Sequence, residues 1–169
     1  MTLSMYQASV PLFRHGFAAF APVLDKAAAH ASAKKIDETV FVQARLAPDM
    51  LPLSRQIQIA SDGVKGCVGR LAGIEVPKME DTEATFEELK ARMAKTDAFI
   101  AGVTAEQIDG TEAKAIELKL GPNTHSFTGQ DYLLKFVIPN FYFHLTTAYA
   151  ILRHNGVEIG KRDFLGAIL

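Results

Sequence analysis

The chain has 169 residues, with 18 Lys and Arg against 19 Asp and Glu, and its one cysteine is Cys67. This length favours a single domain over residues 1–169, large enough to bury about two-thirds of its unfolded surface. The basic residues form no stripe or patch that would release counterions from a nucleic acid, so we expect no nucleic-acid partner.

The composition also argues against secretion and membrane insertion. A lone cysteine cannot form an intrachain disulfide and suits a reducing compartment. No basic-then-apolar signal segment opens the chain, and no apolar run approaches the ~20 residues that a bilayer span requires. We therefore expect a soluble cytoplasmic protein with no membrane partner.

The first predicted helix runs from about Ser4 to Ala29. Apolar residues recur there at steps of three and four and form one stripe: Tyr6, Val10, Phe13, Phe17, Phe20, Leu24 and Ala27. Pro11 and Pro22 lie inside this span. Because each removes a backbone donor, we expect a bend or a break in the helix.

The second predicted helix begins near Asp49, has Pro52 in its first turn and ends at Gly73. Its inner face consists of Leu53, Ile57, Ala60, Val64, Val68 and Leu71. The third begins after the N-cap pair at 81–82 and ends near Gly102. Its inner face consists of Phe86, Leu89, Met93 and Ile100.

A short β-hairpin is predicted before the last helix, in the stretch "AKAIELKLGPNTHSFTG". Residues Ala115 to Leu120 alternate between apolar and charged, "GPN" is a turn, and residues 124–128 form the second strand. The fourth helix then opens at Thr128 and runs to Asn155. Four long amphipathic helices predict an all-α four-helix bundle with this small hairpin inserted before its last long helix.

The fourth helix carries two polar groups on its apolar side, in the stretch "PNFYFHLTTAYAILRHNG". At about 100° per residue, one face holds Leu133, Val137, Asn140, Phe141, His144, Ala148, Ile151 and Leu152. A buried polar group without a partner costs ~1–3 kcal/mol, so Asn140 and His144 need hydrogen bonds or a ligand. We expect both to be buried, with Pro139 bending the helix and opening a pocket. The alternative is a satisfied pair in an ordinary core.

Two residues on other helices are candidates for the same pocket. Gln56 lies about 80° from the centre of the second helix's stripe, at the edge of the core face, whereas Gln58 and Asp62 are expected to point to solvent. Tyr6 on the first helix needs a hydroxyl partner if it is buried. Their alternative roles are a boundary glutamine that covers apolar surface and an ordinary core tyrosine. The sequence contains no phosphate loop, nucleophile elbow, Cys pair or His-Glu-x-x-His motif.

The string "HLTTAYAILRHNG", from His144 to Gly156, resembles the last helix of the DinB/YfiT-like superfamily. The longer strings "LAPDMLPLSRQIQIASD" and "PNFYFHLTTAYAILRHNGVEIGKRDFLG" are similar to a bacterial domain family of unknown function within that superfamily. The resemblance covers nearly the full chain and implies the DinB-like four-helix bundle.

The resemblance also implies where a metal would be held. DinB-like metalloproteins use three histidines, one on the second helix and an H-x-x-x-H pair on the fourth. His144 matches the second of that pair, but the first falls on Asn140 and the second-helix ligand falls near Gln56 or Gln58. Neutral amides bind such ions weakly. The implied cofactor is therefore at most a weakly bound divalent metal, Zn or Ni, or none.

Three functional hypotheses follow. The first is a metal-dependent or degenerate enzyme acting on a small molecule, with His144 as metal ligand or general base and Asn140, Gln56 and Tyr6 around the ligand. Related proteins include thiol-dependent transferases and isomerases. The second is a non-catalytic small-ligand-binding or stress-associated interaction protein, and the third is a polar pair that fixes helix register. The resemblance and an apolar C-terminal tail also predict a homodimer; the tail residues are Phe164, Leu165, Ile168 and Leu169.

Overall fold

A computed structural model describes residues 3–167 and is mostly helical, with one two-stranded antiparallel sheet. In chain order the elements are α1 (Val10–Lys34), α2 (Glu38–Val42), α3 (Leu53–Ala72), α4 (Phe86–Ala101), α5 (Ala105–Ile108), β1 (Ala115–Leu120), β2 (Asn123–Thr128), α6 (Gly129–Asp131), a π-helical segment (Tyr132–Val137), α7 (Ile138–His154) and α8 (Lys161–Leu165). No helix within residues 3–167 is long and apolar enough to cross a membrane.

Helix α1 begins at Val10, so the predicted start at Ser4 is wrong. Pro11 lies in the first turn, where its missing N–H would have no partner in any case, and it therefore marks a helix start rather than an interruption. The residues before it form turns, in which the Ser9 hydroxyl donates to the Met5 carbonyl at 2.7 Å. Pro22 lies inside α1, and the helix continues through it to Lys34, so no break occurs there and the helix extends beyond the predicted end at Ala29.

Helix α3 agrees with the prediction at its C-terminal end, where Gly73 adopts a left-handed conformation with φ of 71°. Its first helical residue is Leu53 and Pro52 is the N-cap, so the predicted start near Asp49, with Pro52 in the first turn, is wrong. Helix α4 starts after Thr85, not after residues 81–82. Thr85 and Glu88 form a capping box, and this reciprocal pair of hydrogen bonds satisfies two backbone donors of the first turn.

The hairpin is confirmed. Strand β1 pairs antiparallel with β2 in a register that places Ala115 opposite Thr128 and Leu120 opposite Asn123. Gly121 in the turn has φ of 58°, a conformation that glycine adopts without steric cost.

The last long helix is irregular on the N-terminal side of Pro139. Residues Tyr132–Val137 are π-helical, and the Ile138 N–H bonds to the Leu133 carbonyl five residues earlier. Proline offers no N–H to the carbonyl four residues before it, so an α-helical ladder cannot run unbroken through this point. We predicted a bend here, and the structure shows a π-helical turn, a feature that is frequent beside functional sites.

Helix α3 packs between α7 and α4, and α1 packs against α4 and also touches α7. Phe141 joins α7 to α1, because its ring meets those of Phe13 and Phe17 edge-on at 5.2 and 5.3 Å. A Cβ at Gly16 would lie 2.7 Å from the Phe141 ring, so glycine permits this close approach. The α1 contact thus orients α7 so that its next turn, which contains His144, faces α3.

The C-terminal segment lies on the chain's own first helix. Helix α8 packs against α1, and the Lys26 ammonium binds Asp163 at 2.7 Å. Phe164 is half-buried against Tyr149, whereas Leu165 is 37% exposed. The other two residues of the predicted apolar tail, Ile168 and Leu169, lie outside the described residues.

Candidate functional site

His144 is buried between α7 and α3, with 8% of its surface exposed. Its Nδ1 lies 2.7 Å from the side-chain oxygen Oε1 of Gln56, which is itself only 2% exposed. Gln56, which the sequence placed at the edge of its helix's core face, is therefore in direct contact with His144. This hydrogen bond joins the second and fourth long helical segments at one point in the interior.

The orientation of Gln56 determines which nitrogen of His144 carries the proton. The Gln56 amide nitrogen donates to the Leu51 carbonyl at 2.8 Å, and only an NH₂ group can do this. The amide oxygen must therefore face His144, and an oxygen can only accept. Nδ1 is consequently the protonated nitrogen of the neutral ring, and Nε2 carries the free lone pair.

Nε2 of His144 reaches solvent. Among the residues that the structure describes, the buried side-chain N and O atoms without a hydrogen-bond partner are Ser61 Oγ and Arg92 Nε. Nε2 is not one of them, and the ring's hydrogen bond within the described chain is made by Nδ1. The lone pair thus lies at a narrow opening in an otherwise buried side chain.

The ring is neutral at ordinary pH. Burial lowers the pKa of His144 from its usual 6.5, and no charged neighbour contributes to the shift. Gln56 holds the ring with a neutral amide rather than a carboxylate, so nothing nearby favours the imidazolium. The site therefore presents a hydrogen-bond acceptor and a weak base.

Three further residues surround the pair, and we call Gln56, His144, Asn140, Phe143 and Leu51 together the His144 site. Asn140 is half-buried one helical turn before His144, and its Nδ2 lies 3.6 Å from where a Cβ at Gly63 of α3 would be. Phe143 is 56% exposed and its ring meets the His144 ring edge-on at 5.3 Å. Leu51 supplies the carbonyl that accepts from Gln56 and is 44% exposed, so two residues that contact the pair have exposed apolar side chains.

Two residues discussed at the sequence level lie elsewhere. The Tyr6 N–H donates to the Asp109 carboxylate at 2.8 Å, which places Tyr6 at the end of α5 rather than beside Gln56. Gln58 does not point to solvent as predicted; it is 2% exposed and its amide donates to Glu83 at 2.8 Å. The helical wheel was misleading for Gln58 because the loop between α3 and α4 folds over that face.

Gln58 belongs to a polar cluster that we did not predict, centred on Arg92 of α4. Arg92 is 3% exposed, and its guanidinium binds Asp62 at 2.8 Å, Asp81 at 3.0 Å and Glu83 at 2.9 Å. The cluster fastens the loop before α4 to α3 and α4. The sequence did contain a signal for it, because a charged residue at 92 falls on the same stripe as Leu89, Met93 and Thr96.

The residues at the His144 site do not fit the three-histidine metal centre that the resemblance implies. His144 Nδ1 and Gln56 Oε1 bind each other, so Nε2 is the one imidazole donor left, beside a neutral Asn140 amide. Within residues 3–167, no group of three or more His, Cys, Asp or Glu side chains is arranged to hold a metal. Cys67 is buried, and burial raises the pKa of its thiol far above the usual range, so it is not a reactive thiolate.

The larger cavities are at other places in the fold. One of about 520 Å³ lies between α1 and α4, over Phe17 and Met93, and another of about 450 Å³ adjoins Arg92 and Glu83. Neither cavity is lined by His144, Asn140, Gln56 or Tyr6. The structure thus leaves one ring nitrogen of His144 accessible, and the two cavities do not coincide with the pocket that we predicted at Asn140 and His144.

The fold and site define a mostly helical protein whose third and seventh helices are joined by a buried His–Gln pair. Residues 5–165 match a domain of unknown function, DUF1993, and the chain belongs to this family. It is similar to the crystal structure of a DinB family member protein from Shewanella denitrificans, with 39% identity, a TM-score of 0.87, and coverage of 96% of this chain and 92% of that one. The predicted resemblance is thereby confirmed. The chain has no significant match among curated proteins.

Proposed function

We propose that this protein is a single-domain four-helix bundle of the DinB type that binds a small molecule at the His144 site and accepts a proton from it at Nε2. The observation that supports this most directly is the chain of hydrogen bonds from the Leu51 carbonyl through Gln56 to His144 Nδ1. A ring held in one tautomer, with its free nitrogen at an opening, is the arrangement that a general base requires.

The chemistry available to Nε2 is limited by its surroundings. An unprotonated imidazole at neutral pH can accept a proton without first losing one, which favours base catalysis. The same burial makes the imidazolium costly, so only relatively acidic protons are within its range. Asn140, one turn away, offers an amide that can orient a bound molecule.

A non-catalytic ligand-binding protein is the second candidate. No charged group contributes to the lowered pKa of His144, and the residue that orients it is an amide rather than a carboxylate. A strong general base usually has an acidic partner that stabilises its protonated form. In this version His144 accepts a hydrogen bond from the ligand and no proton is transferred.

We propose that neither version uses a tightly held metal, because only one imidazole nitrogen is available at the site. Protein purified without an affinity tag should contain clearly less than one Zn or Ni per chain. Elemental analysis checks this directly. About one tightly bound transition metal per chain would contradict the proposal and require ligands other than those at the His144 site.

The binding proposal is tested by screening a library of small uncharged and charged fragments by thermal melting. Compounds that raise the melting temperature of the wild type should have no effect on His144→Leu and should keep their effect on His154→Leu, a control at the exposed end of the same helix. A library without any His144-dependent compound would contradict both versions. Turnover of a bound compound, lost in His144→Leu, would favour the enzyme.

We also propose that the protein is a homodimer, as the resemblance implies. The exposed part of Leu165 on α8 leaves apolar surface for a second copy to cover. Light scattering at high micromolar concentration should give twice the mass of one chain. A monomer mass under those conditions would be contrary to the proposal.

A further inference from the structure

We infer that the ligand of the His144 site is an uncharged hydroxyl compound with an aromatic or alkyl body, for which phenol is the simplest probe. The inference rests on the proposed small-molecule function and specifies its ligand class. It depends on three features of the site: a free acceptor on the His144 ring, no charged group acting on that ring, and exposed apolar side chains beside it.

The first feature is the acceptor atom, Nε2 of His144. His144 is more than nine-tenths buried, its Nδ1–H is already donated to Gln56, and Nε2 is its one polar atom that reaches solvent. A lone pair can be satisfied only by a donor. The ligand must therefore supply an O–H or N–H, and a molecule that can only accept would leave Nε2 unsatisfied.

The charged side chains of α3 and α7 bind groups other than His144. On α3, Arg55 binds Asp81 and Gln58, Lys65 binds Asp62 at 3.0 Å, and Arg70 donates to the Tyr132 hydroxyl at 3.2 Å. On α7, Arg153 donates to the Val157 carbonyl at 3.3 Å.

The loop that contains Leu51 has one exposed charge of each sign, Arg45 and Asp49. Arg45 is held at the Met50 carbonyl. No charged side chain contributes to the lowered pKa of His144. Neither of these two charges acts on the His144 ring, so an ionic ligand held at Nε2 would lose its hydration without gaining a counter-charge there.

The exposed apolar side chains of Phe143 and Leu51 determine what the hydroxyl group of the ligand is attached to. Phe143 stands edge-on to the His144 ring, and Leu51 supplies the carbonyl that accepts from Gln56. Both side chains keep a large exposed apolar fraction. A ring or alkyl chain attached to the hydroxyl would cover these two side chains. Half-buried Asn140 can accept or donate a second hydrogen bond, which suits a hydroxyl group because it also does both.

Four probes of similar size separate these features: phenol, anisole, benzoate and benzylammonium. At pH 7.5 phenol is an uncharged donor, anisole an uncharged molecule without a donor, and the other two are ions. Each is titrated into full-length ¹⁵N-labelled protein while the His144 ring nitrogens are followed by long-range ¹H–¹⁵N correlation. Phenol should shift the Nε2 resonance saturably, and the other three should bind at least about tenfold more weakly.

Three variants complete the experiment. Phe143→Ala removes an exposed side chain and should keep the fold, yet it should weaken phenol binding several-fold. His144→Leu should abolish phenol binding, and His154→Leu should leave it unchanged. Failure of phenol to bind, or equal binding of anisole or of either ion, would overturn the inference. If the fragment library contains His144-dependent compounds that are all charged or lack a donor, the proposed function stands and this inference fails.

Discussion

The hydrogen bond between His144 and Gln56 can be measured as a coupling free energy. His144→Leu removes the donor and leaves Gln56 Oε1 buried without a partner, which should cost about 1–2 kcal/mol. Gln56→Leu leaves both the His144 Nδ1–H and the Leu51 carbonyl without partners, so it should cost about 2–3 kcal/mol. The double variant removes both partners of the His144–Gln56 bond and leaves the Leu51 carbonyl as the group that has lost its donor. It should therefore be less destabilised than the sum of the single variants by about 1 kcal/mol or more.

The free energies of unfolding are obtained by urea denaturation followed by circular dichroism, at one protein concentration for all variants. A matched cycle combines His144→Leu with Gln58→Leu. Gln58 is a neighbouring buried glutamine on α3 whose amide binds Glu83 instead of His144. That control cycle should be additive within about 0.3–0.5 kcal/mol. Additivity in the Gln56 cycle as well would refute the claim that this hydrogen bond fixes the His144 tautomer.

Three further predictions concern pH and buried polar groups. Burial lowers the pKa of His144 below 6.5, so the ring's stabilising contribution is complete above about pH 6.5 and is lost as the pH falls through the folded-state pKa. Urea melts from about pH 7 to 5 should therefore show a steeper loss of stability for the wild type than for His144→Leu. Parallel curves for the two proteins would contradict this. Ser61→Ala should leave stability unchanged or raise it by up to ~1 kcal/mol, because the fully buried Ser61 hydroxyl has no partner. Ser9→Ala loses a hydroxyl bonded at 2.7 Å and should cost about 1 kcal/mol. A larger loss at Ser61 than at Ser9 would show that the Ser61 hydroxyl is satisfied. Arg92→Met should cost about 3 kcal/mol in a thermal or urea melt, because the carboxylates that Arg92 binds are left partly buried without it. Arg14→Met, at an exposed ion pair, should cost less than about 1 kcal/mol. Equal losses for the two variants would count against a structural role for Arg92.

The elements with strong local signals were predicted well. Strand β1 covers Ala115–Leu120 as the alternating pattern indicated, and α3 ends at Gly73, where a left-handed residue is required. The start of α1 was wrong because the apolar spacing continues through residues 5–9, which form turns instead. Periodicity alone does not distinguish a helix from a preceding turn that packs on the same core, whereas Pro11 in a first turn does.

Part of the site followed from helical geometry. The positions of Asn140 and His144 on one face of the fourth helix, and of Gln56 at the core edge of the second, are consequences of about 100° per residue. The sequence could not show that the Leu51 carbonyl orients Gln56, because that contact depends on how the loop before α3 returns to it. It could not exclude Tyr6 either, because the contact of the turns before α1 with Asp109 depends on packing that local spacing does not encode.

The sequence by itself determined the helical class, the hairpin and the lone histidine on an apolar stripe, because these depend on the order of residues within one element. Tertiary structure decided which atom of that histidine is free. Nδ1 is engaged and Nε2 open only because α3 packs against α7 with Gln56 opposite His144, and Gln56 faces that way only because a loop carbonyl takes its NH₂. Tertiary structure also turned Gln58 inward, to the Arg92 cluster, where a helical wheel had placed it in solvent. The physical reason is the same in both cases: the partner of a buried polar group is chosen by elements distant in sequence, and burial makes leaving it without one costly.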